Sequence, residues 1–176
     1  PSPGGSDDAA FAALDATLRA AAAMGAITLV APEIFLPGYN QPDIPARAQR
    51  RGGPWHERLA ALARTHGCGI VIGYAERDAD AVYNSAIAIN AEGREIGHYR
   101  KVQLFGPREK SIFAPGDAIS TFDLGGLRAA MLICYDVEFA PLVRSLAEAG
   151  ADLILVPTAN PEPNTHVSRI VVPAHA

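Results

Sequence analysis

Four reactive side chains lie at, or in the loop just beyond, the end of an extended apolar run. Cys134 closes the greasy part of MLICYDVEF, and charge follows at once. Glu33 comes directly after ITLVAP, Lys101 ends EIGHYRK, and Glu109 sits in FGPREKSIFAPGD. A cysteine thiolate attacks a carbonyl or nitrile carbon well, but it needs a base to form it and a cation to steady the charge that results. Cysteine, glutamate and lysine supply those three parts. Each residue also has a plainer reading. Cys134 suits the core at a strand's end. Glu33 suits a helix cap or a surface salt bridge, and Glu109 a solvated loop charge. Arg100 and Lys101 suit edge charges that discourage aggregation, although alternation along a strand turns one of them inward. A cysteine–histidine pair is the other nucleophilic arrangement, yet no particular histidine is placed for it. The five histidines show no metal spacing, so no metal is assigned. His66 and His98 read as packing or capping residues, and Cys68 as core.

The elements that must position these groups alternate in type. Residues 8–24 predict a helix with Phe11, Leu14 and Leu18 on one face, Ser6 or Asp7 as its cap and Gly25 as its stop. Ile27–Ala31 predicts a buried strand cut off by Pro32, and a loop with three prolines follows. Trp55–His66 predicts a second helix. Gly69–Ala75, Val82–Asn90 and Glu95–Val102 predict an antiparallel meander. Gln103–Asp117 reads as loop. ISTFDL and LRAAMLIC flank Gly125-Gly126 as a hairpin. Ala140–Ala149 predicts a third helix, LILVP another buried strand, and THVSRIVVPAHA the start of a further helix. The order helix, Gly-Ala, buried strand, proline occurs twice, at Met24–Pro32 and Ala149–Pro157. Helices over apolar strands, with alternating strands needing a second layer, point to an α/β helix–sheet–sheet–helix sandwich.

The chain has 176 residues, 49% hydrophobic and 19% charged, with net charge −4 and two cysteines. That predicts one domain over 1–176 with a substantial core. Without a large basic block or a long apolar run, nucleic acid and membrane are not the expected partners. Two cysteines in neither a CxxC nor a zinc pattern, and no signal-like start, predict a reduced, cytoplasmic protein. The first helix has no strand before it and the last none after it, which predicts a chain cut from a longer one at both ends.

Three stretches in order, APEIFLPGYN, HYRKVQLFGPREKSIFAPGD and GLRAAMLICYDVEF, resemble the signature regions of the carbon–nitrogen hydrolases, the nitrilase superfamily. The likeness runs from the first helix to AGADLILVPTAN. It implies a four-layer αββα sandwich of the nitrilase type, incomplete here at the C-terminus. It also implies Glu33 as general base, Lys101 as cation, Cys134 as nucleophile and Glu109 as a second glutamate orienting substrate or lysine. The backbone N–H of Tyr135 would join Lys101 in holding the oxyanion. The implied reaction cleaves a small amide through a cysteine thioester to give an acid and ammonia or an amine, with no cofactor. A homodimer or higher homo-oligomer is implied as well. CYD after the apolar run looks more like the amidase branches than the nitrile hydrolysers; nitrilases, N-carbamoyl hydrolases and a non-catalytic ligand-binding relative or inactive fragment are the competing readings. One departure stands out: Phe139-Ala140-Pro141-Leu142 replaces the Phe-Pro-Glu usual in relatives, which is expected to alter the start of the third helix.

Overall fold

The computed structural model describes residues 5–159 and 164–176. Asn160, the last residue of AGADLILVPTAN, lies outside them. Helix α1 (Asp7–Ala23) starts where the Ser6 hydroxyl accepts from the Ala9 N–H at 3.3 Å, and Asp7 and Asp8 complement its positive end. Strand β1 (Thr28–Val30), the short α2 (Ile44–Arg47) and α3 (Pro54–His66) follow. Pro54 opens α3, where its missing N–H costs nothing. The meander is present as β2 (Gly69–Asp78), β3 (Ala81–Ile89) and β4 (Glu95–Arg100). Next come α4 (Gly106–Ile112), the hairpin β5 (Thr121–Leu124) and β6 (Leu127–Met131), a 3₁₀ turn at Cys134–Glu138, α5 (Ala140–Glu148) and β7 (Leu153–Leu155). A wide helical turn (Val167–Val171) leads into α6 (Val172–His175).

Two sheets form. The first has order β1-β2-β3-β4, with β1 parallel to β2 and the rest antiparallel; the second has order β5-β6-β7, with β7 parallel to β6. Alternation along β2 divides its side chains between two cores. Ile70, Ile72 and Tyr74 join Phe11, Leu14 and Leu18 of α1 and Trp55 and Leu59 of α3. Val71 instead joins Ala86, Ala88 and Tyr99, the second sheet's Phe122, Ala129 and Met131, and Val143 and Leu146 of α5. The layers are thus helix, sheet, sheet, helix, as expected. The two sheets meet closely because Gly97 of β4 has no side chain; a Cβ there would lie 2.6 Å from the Phe122 ring.

Three local expectations differ. The segment 103–117 is not all loop, because α4 forms inside it with Pro107 in the first turn, where proline is tolerated. The strand leading to Cys134 ends at Met131, since Cys134 itself takes φ +45° and breaks the extended path. Lys101 stands one residue past β4. The altered Phe139-Ala140-Pro141 sequence still starts a helix at Ala140, because Pro141 falls in its first turn.

Candidate active site

Glu33 is carried past β1 by a chain that keeps company with β2. The Ala31 N–H donates to the Val71 carbonyl at 2.7 Å, and the Gly73 N–H donates to the Pro32 carbonyl at 3.1 Å. Gly73 makes this approach possible, since a Cβ there would lie 2.6 Å from both Glu33 Cα and Ile34 N. Ile34 then turns at φ +40°, a conformation a β-branched residue holds only when its surroundings enforce it. The result drives Glu33 inward, to 1% exposure.

Lys101 meets it from β4. Its own N–H donates to the Asn84 carbonyl at 2.8 Å, and its carbonyl accepts from the Gly116 N–H at 2.8 Å, so both sides of the residue are held. The side chain is fully buried, and its Nζ donates to Glu33 Oε1 at 2.7 Å and to Glu109 Oε1 at 3.0 Å. Burial alone would lower the lysine's pKa, but the Glu33 and Glu109 charges outweigh it and hold the ammonium above its ordinary value. Arg100, facing the other way, pairs with Glu76 and Asp78. The alternation expected between these two cations is therefore present.

Glu109 projects from the first turn of α4. The Tyr39 hydroxyl donates to its Oε1 at 2.6 Å and the Phe105 N–H to its Oε2 at 2.8 Å. Burial and the Glu109 carboxylate push the Tyr39 phenol well up, so it stays a neutral donor.

Cys134 opens the 3₁₀ turn, half-buried, with its N–H donating to the Pro157 carbonyl at 3.0 Å. Its thiol is pushed up to about 11, first by burial and then by the Glu33 charge; Thr158, Lys101 and the Ala159 N–H pull the other way. The Cys134 sulfur, the Glu33 carboxylate and the Lys101 ammonium thus feel one another's fields, and Tyr39 feels those of Glu33 and Cys134 too. The four site residues expected from the sequence share one cluster. The Tyr135 N–H meets no acceptor among the described residues, and the Tyr135 ring lies edge-on between Phe105 and Phe139.

Three residues of the cluster escaped the sequence reading. Asn84 of β3, fully buried, donates from Nδ2 to Glu33 Oε1 at 2.8 Å. Only its NH₂ end can face a carboxylate, which settles the orientation of the amide. Its signal was a pair of adjacent polar residues, Asn84-Ser85, inside an apolar strand. Tyr39 carried no signal beyond its place in the FLPGYN loop. Asp136 looked like ordinary charge after the cysteine, yet it is fully buried and takes three hydrogen bonds. Among the described residues no group of three His, Cys, Asp or Glu is arranged to hold a metal, and no helix is long and apolar enough to cross a membrane.

Comparison with known proteins places this architecture. A family model described as carbon-nitrogen hydrolase matches residues 5–175. A protein of Pseudomonas protegens described as "Hydrolase in pqqF 5'region" is 43% identical over 152 residues, covering 84% of this chain and 53% of that protein. An (R)-stereoselective amidase of Pseudomonas sp. is 34% identical over 166 residues, covering 93% of this chain and 60% of that one. The chain therefore spans between about half and three fifths of these relatives. The crystal structure of an amidase from Nesterenkonia sp. superposes with a TM-score of 0.91 at 32% identity, over 99% of this chain and 67% of that chain. A mutant of the Nesterenkonia sp. AN1 amidase shows the result of Michael addition of acrylamide at the active site cysteine; it superposes with a TM-score of 0.85 at 34% identity, over 92% and 65% of the two chains. With its layers, its sheet order and the family match over nearly its full length in agreement, the chain belongs to the carbon–nitrogen hydrolase family.

Proposed function

We propose that this chain carries the catalytic cluster of an amidase, which hydrolyses the C–N bond of a small amide with Cys134 as nucleophile. The observation that carries the reading is the shared burial of Glu33 and Lys101 within the electrostatic field of the Cys134 thiol. The likeness to amidases of Pseudomonas and Nesterenkonia supports an amide as the substrate.

The hydrogen bonds distinguish the two glutamates. Glu109 has close donors on both oxygens, from Tyr39, Phe105 and Lys101. Glu33 has Asn84 and Lys101 on Oε1 but, among the described residues, only the Ala159 N–H at 3.3 Å on Oε2. Glu33 Oε2 is therefore the oxygen with room for a proton, and Glu109 holds the lysine.

In the first half-reaction Glu33 takes the thiol proton as the sulfur attacks the amide carbon. A C–S bond forms and the carbonyl electron pair moves onto oxygen. The Lys101 ammonium and the Tyr135 N–H stabilise that oxyanion, each such donor contributing about 3 kcal/mol. The C–N bond then breaks, and the nitrogen leaves as ammonia or an amine with the proton that Glu33 returns. Water, giving its proton to Glu33, cleaves the thioester to the acid and restores the thiol. A homo-oligomer, suggested by the family, belongs to the same proposal, and light scattering of the purified protein tests it.

A panel of small amides, N-carbamoyl compounds and nitriles, followed by ammonia release from the full-length protein, tests the reading. Release from an amide, abolished by Cys134→Ala, is the expected result. Turnover that survives Cys134→Ala overturns it, as does silence across the panel.

A further inference from the structure

Asp136 takes no part in the chemistry above, yet it brings a carboxylate into the core between the sheets at 0% exposure. Burial pushes its pKa up, and a group so placed is tolerated only when its oxygens are satisfied. The donors come from three places around the site. The Ile133 N–H, just before the nucleophile, donates to Oδ2 at 3.0 Å. The Gln103 N–H, two residues after Lys101, donates to Oδ1 at 2.7 Å. The Tyr99 hydroxyl, two residues before Lys101, donates to Oδ2 at 2.9 Å. Asp136 also returns its own N–H to the Ile133 carbonyl at 3.0 Å, closing the turn on itself.

Cys134 inside that turn holds φ +45°, which a residue with a side chain keeps only where its neighbours over-determine it. The turn also governs which N–H groups are spent. Ile133 gives its own to Asp136 and Cys134 gives its own to Pro157, which leaves that of Tyr135 without an acceptor among the described residues.

We propose that Asp136 is a positioning residue. It fixes the left-handed backbone of Cys134 and ties that turn to the backbone on both sides of Lys101, so that sulfur, ammonium and the Tyr135 N–H keep one mutual geometry. The inference rests on Cys134 being the nucleophile.

Asp136→Asn tests it in the full chain. The side chain keeps its shape, but its NH₂ must now face either the Ile133 or the Gln103 N–H. Iodoacetamide labelling at pH 8, read by peptide mass mapping, follows Cys134 and Cys68 together. Cys68, fully buried in the helix-side core, reports any general loosening. The expected result is Cys134 slowed by about tenfold, because sulfur displaced from the Lys101 ammonium loses the cation that favours its thiolate, while Cys68 stays protected. Cys134 labelled at the wild-type rate overturns the proposal. Should the variant expose both cysteines, Tyr99→Phe, which removes one donor, carries the decision: a slowed Cys134 beside a protected Cys68 supports the proposal, and an unchanged Cys134 overturns it. A wild-type Cys134 that reacts no faster than Cys68 would instead sink the nucleophile reading, and this inference with it.

Discussion

Glu33→Gln should move turnover and thiol labelling in opposite directions. The Cys134 thiol sits at about 11, against 9.0 for an ordinary cysteine. At pH 7 about one molecule in 10⁴ then carries a free thiolate, some 100-fold fewer than an unperturbed cysteine would. After burial, the largest contribution to that suppression is the negative charge of Glu33. A like charge in the field of a thiol disfavours the thiolate, so Gln at 33 should lower the thiol by about one unit. Iodoacetamide labelling of Cys134 at pH 8 should therefore rise about tenfold, because it needs only the thiolate. Amide turnover should fall by about 10²-fold to 10⁴-fold, because the base is gone. The assay pairs a labelling-rate profile from pH 6 to 10 with ammonia release on the same preparations. If both rates fall together, the field of Glu33 does not govern the thiol. If turnover survives, Glu33 is not the base.

Lys101→Met removes a cation enclosed by two buried carboxylates, and should lower the stability measured by urea unfolding at pH 7 by about 3–5 kcal/mol; an unchanged midpoint would refute the balance described here. Gly73→Ala sets a methyl 2.6 Å from backbone atoms of Glu33 and Ile34, neither of which can swing aside, so turnover should drop about tenfold or more; wild-type kinetics would show that the approach is looser than drawn. Burial pushes the Glu76 carboxyl up, but hydrogen bonds from His98, Arg100 and Ser85 outweigh it and hold the group well below the usual carboxylate range. That stability is present above the unfolded value of about 4.3 and lost as pH falls, so urea midpoints between pH 6 and 3.5 should decline less in Glu76→Gln than in wild type; parallel declines would place the acid sensitivity elsewhere.

What the sequence could reveal was periodicity, and what it hid was backbone bonding across long separations. The apolar run of β2 and the alternation in the second half of β3 announced a sheet with two covered faces, and the Arg100-Lys101 pair announced one inward cation. The 3₁₀ turn at Cys134 had no such signature. It depends on Asp136 accepting from Gln103, 33 residues away, and on Cys134 donating to Pro157, contacts that arise only once both sheets are packed. Helix α4 was masked by the glycine and prolines of 103–117, although Pro107 sits where a helix accepts it. Tyr39 and Asn84 matter through Glu109 and Glu33, 70 and 51 residues away in sequence, and no local pattern marks such partners.

The two buried glutamates served by β4 show why burial alone does not mark a reactive carboxylate. Both are 1% exposed and both have a cation from consecutive positions, Arg100 at the end of β4 for Glu76 and Lys101 just past it for Glu33. At Glu76 both oxygens are committed: Oε2 to Ser85 at 2.6 Å and His98 at 2.7 Å, Oε1 to Arg100. A carboxylate so saturated gains nothing by taking a proton, and its role is to fasten β2, β3 and β4 together. At Glu33 the strong donors crowd onto Oε1, while Oε2 has a single long contact among the described residues, and the carboxylate lies within the field of the Cys134 thiol. The asymmetry between its two oxygens separates the candidate base from the structural anchor. It is set by where Asn84 and Lys101 reach the carboxylate, and so by the register of β3 against β4.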